Sequence, residues 1–428
     1  MKILVFYDNF VRDFRSSFLL KAILEKYGHI CIVRPLWKDG IYEIKRFQPD
    51  CVVMGQVSEY STSRIGLFCH NHSINLCLST TEVVEVNDKL LNFFLFNQIE
   101  FNDSKIDLQI LPGDILEGVI RKEKKIIHKE KYKLMGMPRM DFNIVPELRD
   151  VEVNDIRECY RIKSRGKVYL FVSDFIYDGS AAQVDLEDRK YVDVQKKFDD
   201  EMQMKRTLVP ILQRFLLHIA KHEPDSVFLV KKHPWDKSNF LESIFGNNGN
   251  VVIIKDEYVT PLLVVSDYVF HTESTVAIEA WMQNKKTVAI RPDFLGDFEK
   301  LKYHMKHEVV VGNFEELLAV INSYPVVNSR ATFLENFNYL MDGRASLRFV
   351  QSIDKLSVKE NKNIPANDFL DILRHGKFLL HVYMSLFGYG NSYLQLLQRH
   401  EKEKKSVEKR YRMPVTAYVD VLTKEQDI

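Results

Sequence analysis

Short apolar runs of strand length alternate with amphipathic stretches along the first third of the chain. Ile3-Leu-Val-Phe-Tyr7 has the pattern of a buried strand, and the polar residues 8–15 after it read as a loop at the strand's C-terminal end. Residues 16–26 predict a helix that stops near Gly28, a residue suited to a helix C-cap. Residues 29–33 predict a second strand, 42–47 a short helix and Cys51-Val-Val-Met54 a third strand. A strand at 74–78, a helix at 87–96 and runs at 108–111 and 132–135 continue the alternation. Strand–helix–strand succession of this kind predicts a parallel, doubly wound sheet.

A charged, weakly periodic stretch ending at residue 167 reads as a linker, after which the alternation resumes. Val168-Tyr-Leu-Phe-Val172 is the next strand, 199–222 a long helix, and 226–230, 251–254, 268–270 and 287–290 further strands. These runs are continuous and rich in β-branched and aromatic residues, as parallel strands buried on both faces are. Beyond about residue 345 the pattern turns helical, with an apolar periodic stretch at 369–386 and a basic one at 399–412. The expected fold class is α/β, with two doubly wound, Rossmann-like domains facing a cleft and a helical C-terminal extension. The expected boundaries are 1–150 for an acceptor-side domain, 151–167 for the linker, 168–350 for a donor-binding domain and 351–428 for the extension. The basic stretch reads first as a solvated helix packed on the body or on a partner subunit. Its second reading is peripheral contact with an anionic membrane.

Composition narrows the picture. The formal net charge of +1 over 428 residues gives no general pull on nucleic acid. Cys31, Cys51, Cys69, Cys77 and Cys159 contain no C-x-x-C pair and make no disulfide framework, so reduced thiols in a cytoplasmic setting are expected. The N-terminus lacks the features of a signal peptide, and no apolar window has transmembrane length, so any membrane association is expected to be peripheral.

Two segments carry candidate chemistry. His271-Thr-Glu-Ser-Thr-Val-Ala-Ile-Glu-Ala280 follows a strand and opens a helix over 276–282. Small hydroxyl residues at a helix start leave backbone N–H groups facing an anion. Glu279 lies one turn beyond Thr275, so Ser274 and Thr275 suit a phosphate and Glu279 the ribose hydroxyls of a nucleotide. The plainer alternative is a hydroxyl-capped core helix. Val230-Lys-Lys-His-Pro234 ends another strand, where ligand sites of α/β sheets form. Pro234 biases His233 to an extended conformation, from which its ring can donate to a phosphate. Lys231 and Lys232 alternate across the strand, so at most one of them faces a given neighbour.

A Lys-x-His-Pro turn followed some forty residues later by Ser-Thr-x-x-x-Glu-Ala resembles the GT-B glycosyltransferases of bacterial surface polysaccharide assembly. The pattern is similar to the surface carbohydrate biosynthesis protein group, related in outline to capsule Kdo transferases, bacterial sialyltransferases and CDP-glycerol glycerophosphotransferases. Arg12-Asp13, Gly136-Met-Pro-Arg-Met-Asp141 and Asp342-Gly-Arg-Ala-Ser346 also match, so the resemblance covers roughly residues 1–350. It implies that Lys232 and His233 bind the donor, that His233 holds its phosphate, that Ser274 and Thr275 bind the same phosphate, and that Glu279 binds the ribose. It places Arg12, Arg139 and Asp141 near the cleft, ordering a loop or touching substrate. Met137 stands where the family has a polar residue.

Glycosyl transfer needs a base for the acceptor hydroxyl. The first domain offers Asp8, Asp13, Glu59, Glu82 and Glu85 near strand ends. Glu82 ranks first because Thr80-Thr-Glu82 directly follows a strand, and Asp13 second. No H-E-x-x-H, clustered Cys/His or Asp-x-Asp pattern occurs, so no metal is expected, nor any cofactor beside the nucleotide-sugar substrate. The expected function is a metal-independent glycosyltransferase for capsule or lipopolysaccharide. It would move a CMP-linked Kdo or nonulosonate sugar to a hydroxyl of a polysaccharide or glycolipid acceptor. The alternatives are a CDP-polyol phosphotransferase, a nucleotide-sugar 2-epimerase and a non-catalytic scaffold of polysaccharide assembly.

Overall fold

The computed structural model describes residues 1–36, 40–55, 60–79, 105–122, 127–163, 165–173, 191–233, 236, 239–246, 249–255, 257–291, 303–360, 362–366 and 391–424. The expected helix at 87–96, the apolar stretch at 369–386, and Glu59, Glu82, Glu85 and Pro234 lie outside these residues. The chain divides into two compact units: Met1–Val151 with Glu335–Ile428, and Glu152–Leu334.

The first unit holds a six-stranded parallel sheet in the order β2-β1-β3-β4-β5-β6. Its strands are β1 (Lys2–Tyr7), β2 (Ile30–Pro35), β3 (Cys51–Met54), β4 (Asn75–Leu78), β5 (Leu108–Leu111) and β6 (Tyr132–Leu134). They coincide with the apolar runs of the sequence because a strand covered on both faces has no polar side to alternate with. The chain moves outward from β1 to β2, then returns to place β3 on the other side of β1. The switch point of this sheet therefore lies between β1 and β3.

The first helix, Phe10–Lys26, begins six residues before the sequence pattern suggested. Its first turn is polar, which masked it as a loop. The Asn9 side chain caps it by accepting the Arg12 N–H at 3.2 Å, and Asp13 accepts the Asn9 N–H at 3.0 Å. At its far end Gly28 takes φ +80°, the left-handed conformation that terminates helices.

The second unit repeats the design with order β12-β11-β10-β7-β8-β9, all parallel. Its strands are β7 (Val168–Val172), β8 (Val227–Lys231), β9 (Val251–Ile254), β10 (Tyr268–His271), β11 (Lys286–Ile290) and β12 (Val309–Val311). Here the switch point lies between β7 and β10, whose register pairs Tyr268 with Tyr169 and Phe270 with Phe171. The helix Tyr191–His222 contributes Leu208, Leu212, Phe215 and Ile219 to the core on one face of this sheet.

Two boundaries differ from expectation. The stretch expected as a linker carries the helix Val153–Cys159, and Ile156 and Ile162 are buried in the second unit's core. Residues 335–350, expected at the end of the second domain, and the described residues beyond them belong to the first unit instead. The reason is a long-range lock. The buried Asp141 carboxylate accepts the N–H groups of Ala345 at 3.1 Å and Ser346 at 2.8 Å, the first turn of the helix Ala345–Asp354. Met137 N–H donates to Asn338 at 2.8 Å, and the Arg348 guanidinium reaches both the Met135 carbonyl and the Asp342 carboxylate, each at 2.8 Å. Gly136 has φ +80° and packs so tightly that a Cβ there would lie 3.1 Å from the Tyr339 carbonyl oxygen. Thus the segments 136–141 and 342–346, two of the family-like motifs, dock on each other.

Burial pushes the Asp141 carboxyl up to about 7, although Ser346, Ala345 and Arg348 all pull it down. An unfolded Asp titrates near 3.9, so between these values the folded protein holds a proton that the unfolded chain releases. This group's contribution to stability is complete below about pH 4 and is lost as pH rises through about 7. Denaturant unfolding across that range should show a slope that Asp141→Asn flattens. Asp141→Ala, which strips two buried N–H groups of their acceptor, should lower the unfolding free energy by about 1–3 kcal/mol.

Candidate functional site

The C-terminal strand ends of the second unit collect most of the candidate residues. β8 and β10 flank β7, so their ends lie two strand spacings apart, about 10 Å. The Ser173 N–H at the end of β7 donates to the Lys231 carbonyl at 2.9 Å, holding the two strand ends together. Beyond β10 come Thr272 to Thr275 and then the helix Val276–Met282.

The helix starts with a tight turn rather than a side-chain cap. Ala277 and Ile278 N–H groups donate to the carbonyls of Ser274 and Thr275 at 3.2 and 3.0 Å. Ser274 Oγ accepts the Val276 N–H at 3.3 Å, while Thr275, at the cap position, makes no side-chain cap hydrogen bond. Both hydroxyl residues are half-buried. Glu279 falls on the same helix but is only 6% exposed. Arg291, at the end of β11, pairs with Glu273 at 3.0 Å and sets a cation beside the hydroxyl-bearing loop. The sequence reading missed Arg291 because its place beside residue 273 depends on strand order rather than on spacing.

The Lys-Lys-His segment separates into different roles. Lys231 and Lys232 take different partners. Lys231 is buried and donates to the backbone carbonyls of Lys255 and Lys232. Lys232, 4% exposed, is ion-paired with Glu242 at 2.7 Å and lies 3.8 Å from Asp236 Oδ2. Its ammonium ties the strand to the helix Phe240–Phe245. His233 is half-buried at the strand end, and its carbonyl accepts the Asp236 N–H at 2.9 Å in a tight turn.

Beneath the 272–275 loop lies a buried polar network that sequence reasoning did not find. His271 Nε2 and Glu308 Oε2 are 3.1 Å apart, both side chains fully buried. Glu308 also accepts from Thr287 Oγ1 at 2.6 Å, the Val309 N–H at 2.9 Å and Arg330 at 2.6 Å. Trp281 Nε1 donates to Thr287 Oγ1 at 2.6 Å, and the Arg330 guanidinium stacks 4.9 Å from the Trp281 ring. The network joins β10, β11 and the helix that follows the loop, so it fixes where Ser274 and Thr275 stand. His271 Nδ1 is buried and makes no hydrogen bond among the described residues. In sequence, Glu308 before Val-Val-Val reads as an ordinary surface carboxylate.

In the first unit, Arg12 and Asp13 sit beside the switch point after β1. Asp13 is 1% exposed, and its two oxygens accept from Arg12 Nε at 2.8 Å, Arg12 Nη2 at 3.0 Å and the Asn9 N–H. Arg12 also reaches Asp8 at 3.3 Å. Asp13 thus holds the helix start and is not presented to an acceptor hydroxyl. Asp141 caps a helix, as described above, and Arg139 lies half-buried in the same turn. Among the described residues no group of three or more His, Cys, Asp or Glu has metal-binding geometry.

No family model matches the sequence, and no curated protein is similar to it in sequence. Several solved structures share the fold. UDP-GlcNAc 2-epimerase from Neisseria meningitidis, bound to UDP-GlcNAc, superposes with a TM-score of 0.54 at 13% identity, covering 83% of this chain and 100% of its own. The wall teichoic acid polymerase TagF, soaked with CDPG, gives 0.55 at 12% identity, covering 83% of this chain and 88% of its own. S. aureus MnaA with UDP gives 0.54 at 14% identity, covering 82% and 95%. With two six-stranded parallel sheets and flanking helices, the chain has a two-domain, GT-B-like α/β fold.

The network makes Glu308 a shared acceptor for several groups of the second unit. Glu308→Ala leaves the Arg330 guanidinium and the Thr287 hydroxyl without their shared acceptor. It should lower stability by about 3–5 kcal/mol in thermal or denaturant unfolding, while Glu308→Gln, which keeps one oxygen, should cost less.

Proposed function

We propose that this chain is an enzyme that uses a nucleotide-activated sugar, with the nucleotide held at the strand ends of the second unit. The observation that carries the reading is the 272–275 loop. It leaves the switch-point strand β10 carrying two half-buried hydroxyls, with Arg291 beside it and a rigid network below. Ligands of open α/β sheets bind at such points. Ser274, Thr275 and His233 would take the phosphate, and Arg291 would add positive charge. Glu279 would meet the ribose from its buried position. The likeness to proteins whose structures contain UDP-GlcNAc, UDP and CDPG supports a nucleotide as the ligand.

The finer reading is glycosyl transfer from a CMP-linked Kdo or nonulosonate donor to a hydroxyl of a surface polysaccharide or glycolipid. The acceptor oxygen would attack the anomeric carbon as the bond to phosphate breaks. His233 and the two hydroxyls would stabilise the departing negative charge. Glu82 is the candidate base on sequence grounds, since Asp13 is committed to its helix start. A second reading, cleavage at phosphorus of a CDP-polyol, is favoured by the likeness to TagF.

Thermal shift with CMP, CDP and UDP tests the nucleotide site. One of them should raise the melting temperature. His233→Ala and Thr275→Ala should each weaken that nucleotide about tenfold or more, a loss of about 1.4 kcal/mol per decade. Lys232→Met should lower the melting temperature and leave nucleotide affinity unchanged. No stabilisation by any nucleotide would turn the reading to a non-catalytic scaffold. Phosphate content of the product separates sugar transfer from polyol-phosphate transfer, and conversion of a nucleotide sugar without acceptor would indicate epimerisation.

A further inference from the structure

The C-terminal helix Asn391–Lys424 packs on the first unit along one side only. Val407, Tyr411, Val415, Tyr418, Val419 and Leu422 are buried and recur at the three- and four-residue spacing of a single helix face. They lie against the first helix and the helix Pro146–Arg149. Arg15 fixes the register by donating to the Tyr411 hydroxyl at 2.8 Å, and the Tyr418 hydroxyl donates to the Gly343 carbonyl.

The opposite side has a different composition. At 3.6 residues per turn, Lys402, Lys405, Lys409, Arg412 and Met413 fall on the arc facing away from the buried stripe, and all five are exposed, Met413 at 81%. Of the glutamates interspersed with these bases in sequence, Glu401 is exposed one helical turn before Lys405. Glu403 and Glu408 are half-buried at the margins of the packed stripe. Burial raises the pKa of the Tyr7 hydroxyl, and Glu401 and Glu408 lie near enough to add to that effect. Asp420, the carboxylate on the outward arc, is paired with Lys26 of the first helix at 2.8 Å. The outer face therefore carries an excess of cations, Lys402, Lys405, Lys409 and Arg412, with the exposed Met413 among them.

We propose that this outer face docks the protein on an anionic phospholipid surface, with the helix lying parallel to the bilayer plane. The four cations match lipid phosphates, and Met413, with Ala417 beside it, reaches the acyl boundary. A single-stranded nucleic acid would need aromatic rings for base stacking, but the tyrosines of the described helix face, Tyr411 and Tyr418, are turned inward and buried.

The test is co-sedimentation of the full chain with vesicles of phosphatidylcholine alone and of phosphatidylcholine mixed with phosphatidylglycerol. The wild type should bind only the mixed vesicles and be released by high salt. The combined variant Lys402→Gln, Lys405→Gln, Lys409→Gln and Arg412→Gln should lower its partition coefficient by at least about tenfold. Met413→Asp should weaken it severalfold. Thermal unfolding of each variant checks that the helix remains packed, and salt release of the wild type reads the electrostatic dependence without any substitution. Wild type that stays in the supernatant with mixed vesicles at low salt overturns the proposal. So does binding that the four-Gln variant retains in full, or tighter binding to single-stranded RNA than to the vesicles.

Discussion

The bond between the Asp141 carboxylate and the first turn of the helix Ala345–Asp354 is the constraint on which the first unit depends. It brings the chain back, after the whole second unit, to the sheet where it began. Everything downstream follows from that return. Arg348 can then bridge Met135 and Asp342, and the first helix gains two packing partners, Ala345–Asp354 and Asn391–Lys424. The helix start supplies oriented N–H donors that partly offset the burial of this acidic group.

The second unit solves a similar problem with a different device. Its strands are apolar almost throughout, but Glu308 enters beside β12 as a fully buried carboxylate. Thr287, Arg330, the Val309 N–H and His271 surround it, so that each oxygen has partners. A dense network of this sort sets the end of β10 rigidly relative to β11. The loop that carries Ser274 and Thr275 therefore starts from a fixed platform, the condition under which small hydroxyl groups select one ligand geometry.

The strands were legible because burial on both faces leaves an unbroken apolar signature, and several ranges, such as Cys51–Met54 and Val168–Val172, match the sequence pattern residue for residue. Phe10–Lys26 was misread at its start because capping chemistry looks like loop chemistry. β12, Val309–Val311, was not read as a strand from the sequence. The division into units was hidden for another reason: segment 136–141 meets 342–346 through contacts about two hundred residues apart, and local periodicity carries no trace of them. Of the candidate site, the strand-end position of His233 and the 274–275 loop follows from the order of elements. The separation of Lys232 from His233 depended on where one ammonium finds a carboxylate, and Glu242 lies ten residues beyond it on a short helix.

The discontinuous first unit also bears on how the protein is made. Its sheet is encoded entirely within the first 151 residues, but the groups that cover the first helix and satisfy Asp141 lie beyond residue 335. As the chain leaves the ribosome, the second unit emerges as one continuous segment and has all its own strands before the first unit can close. The N-terminal sheet must wait, with Arg15 and Asp141 still lacking Tyr411 and the 345–346 helix start, until the residues that follow the second unit have been made. Translation order therefore makes a helix that follows the second unit the latch of the unit that precedes it.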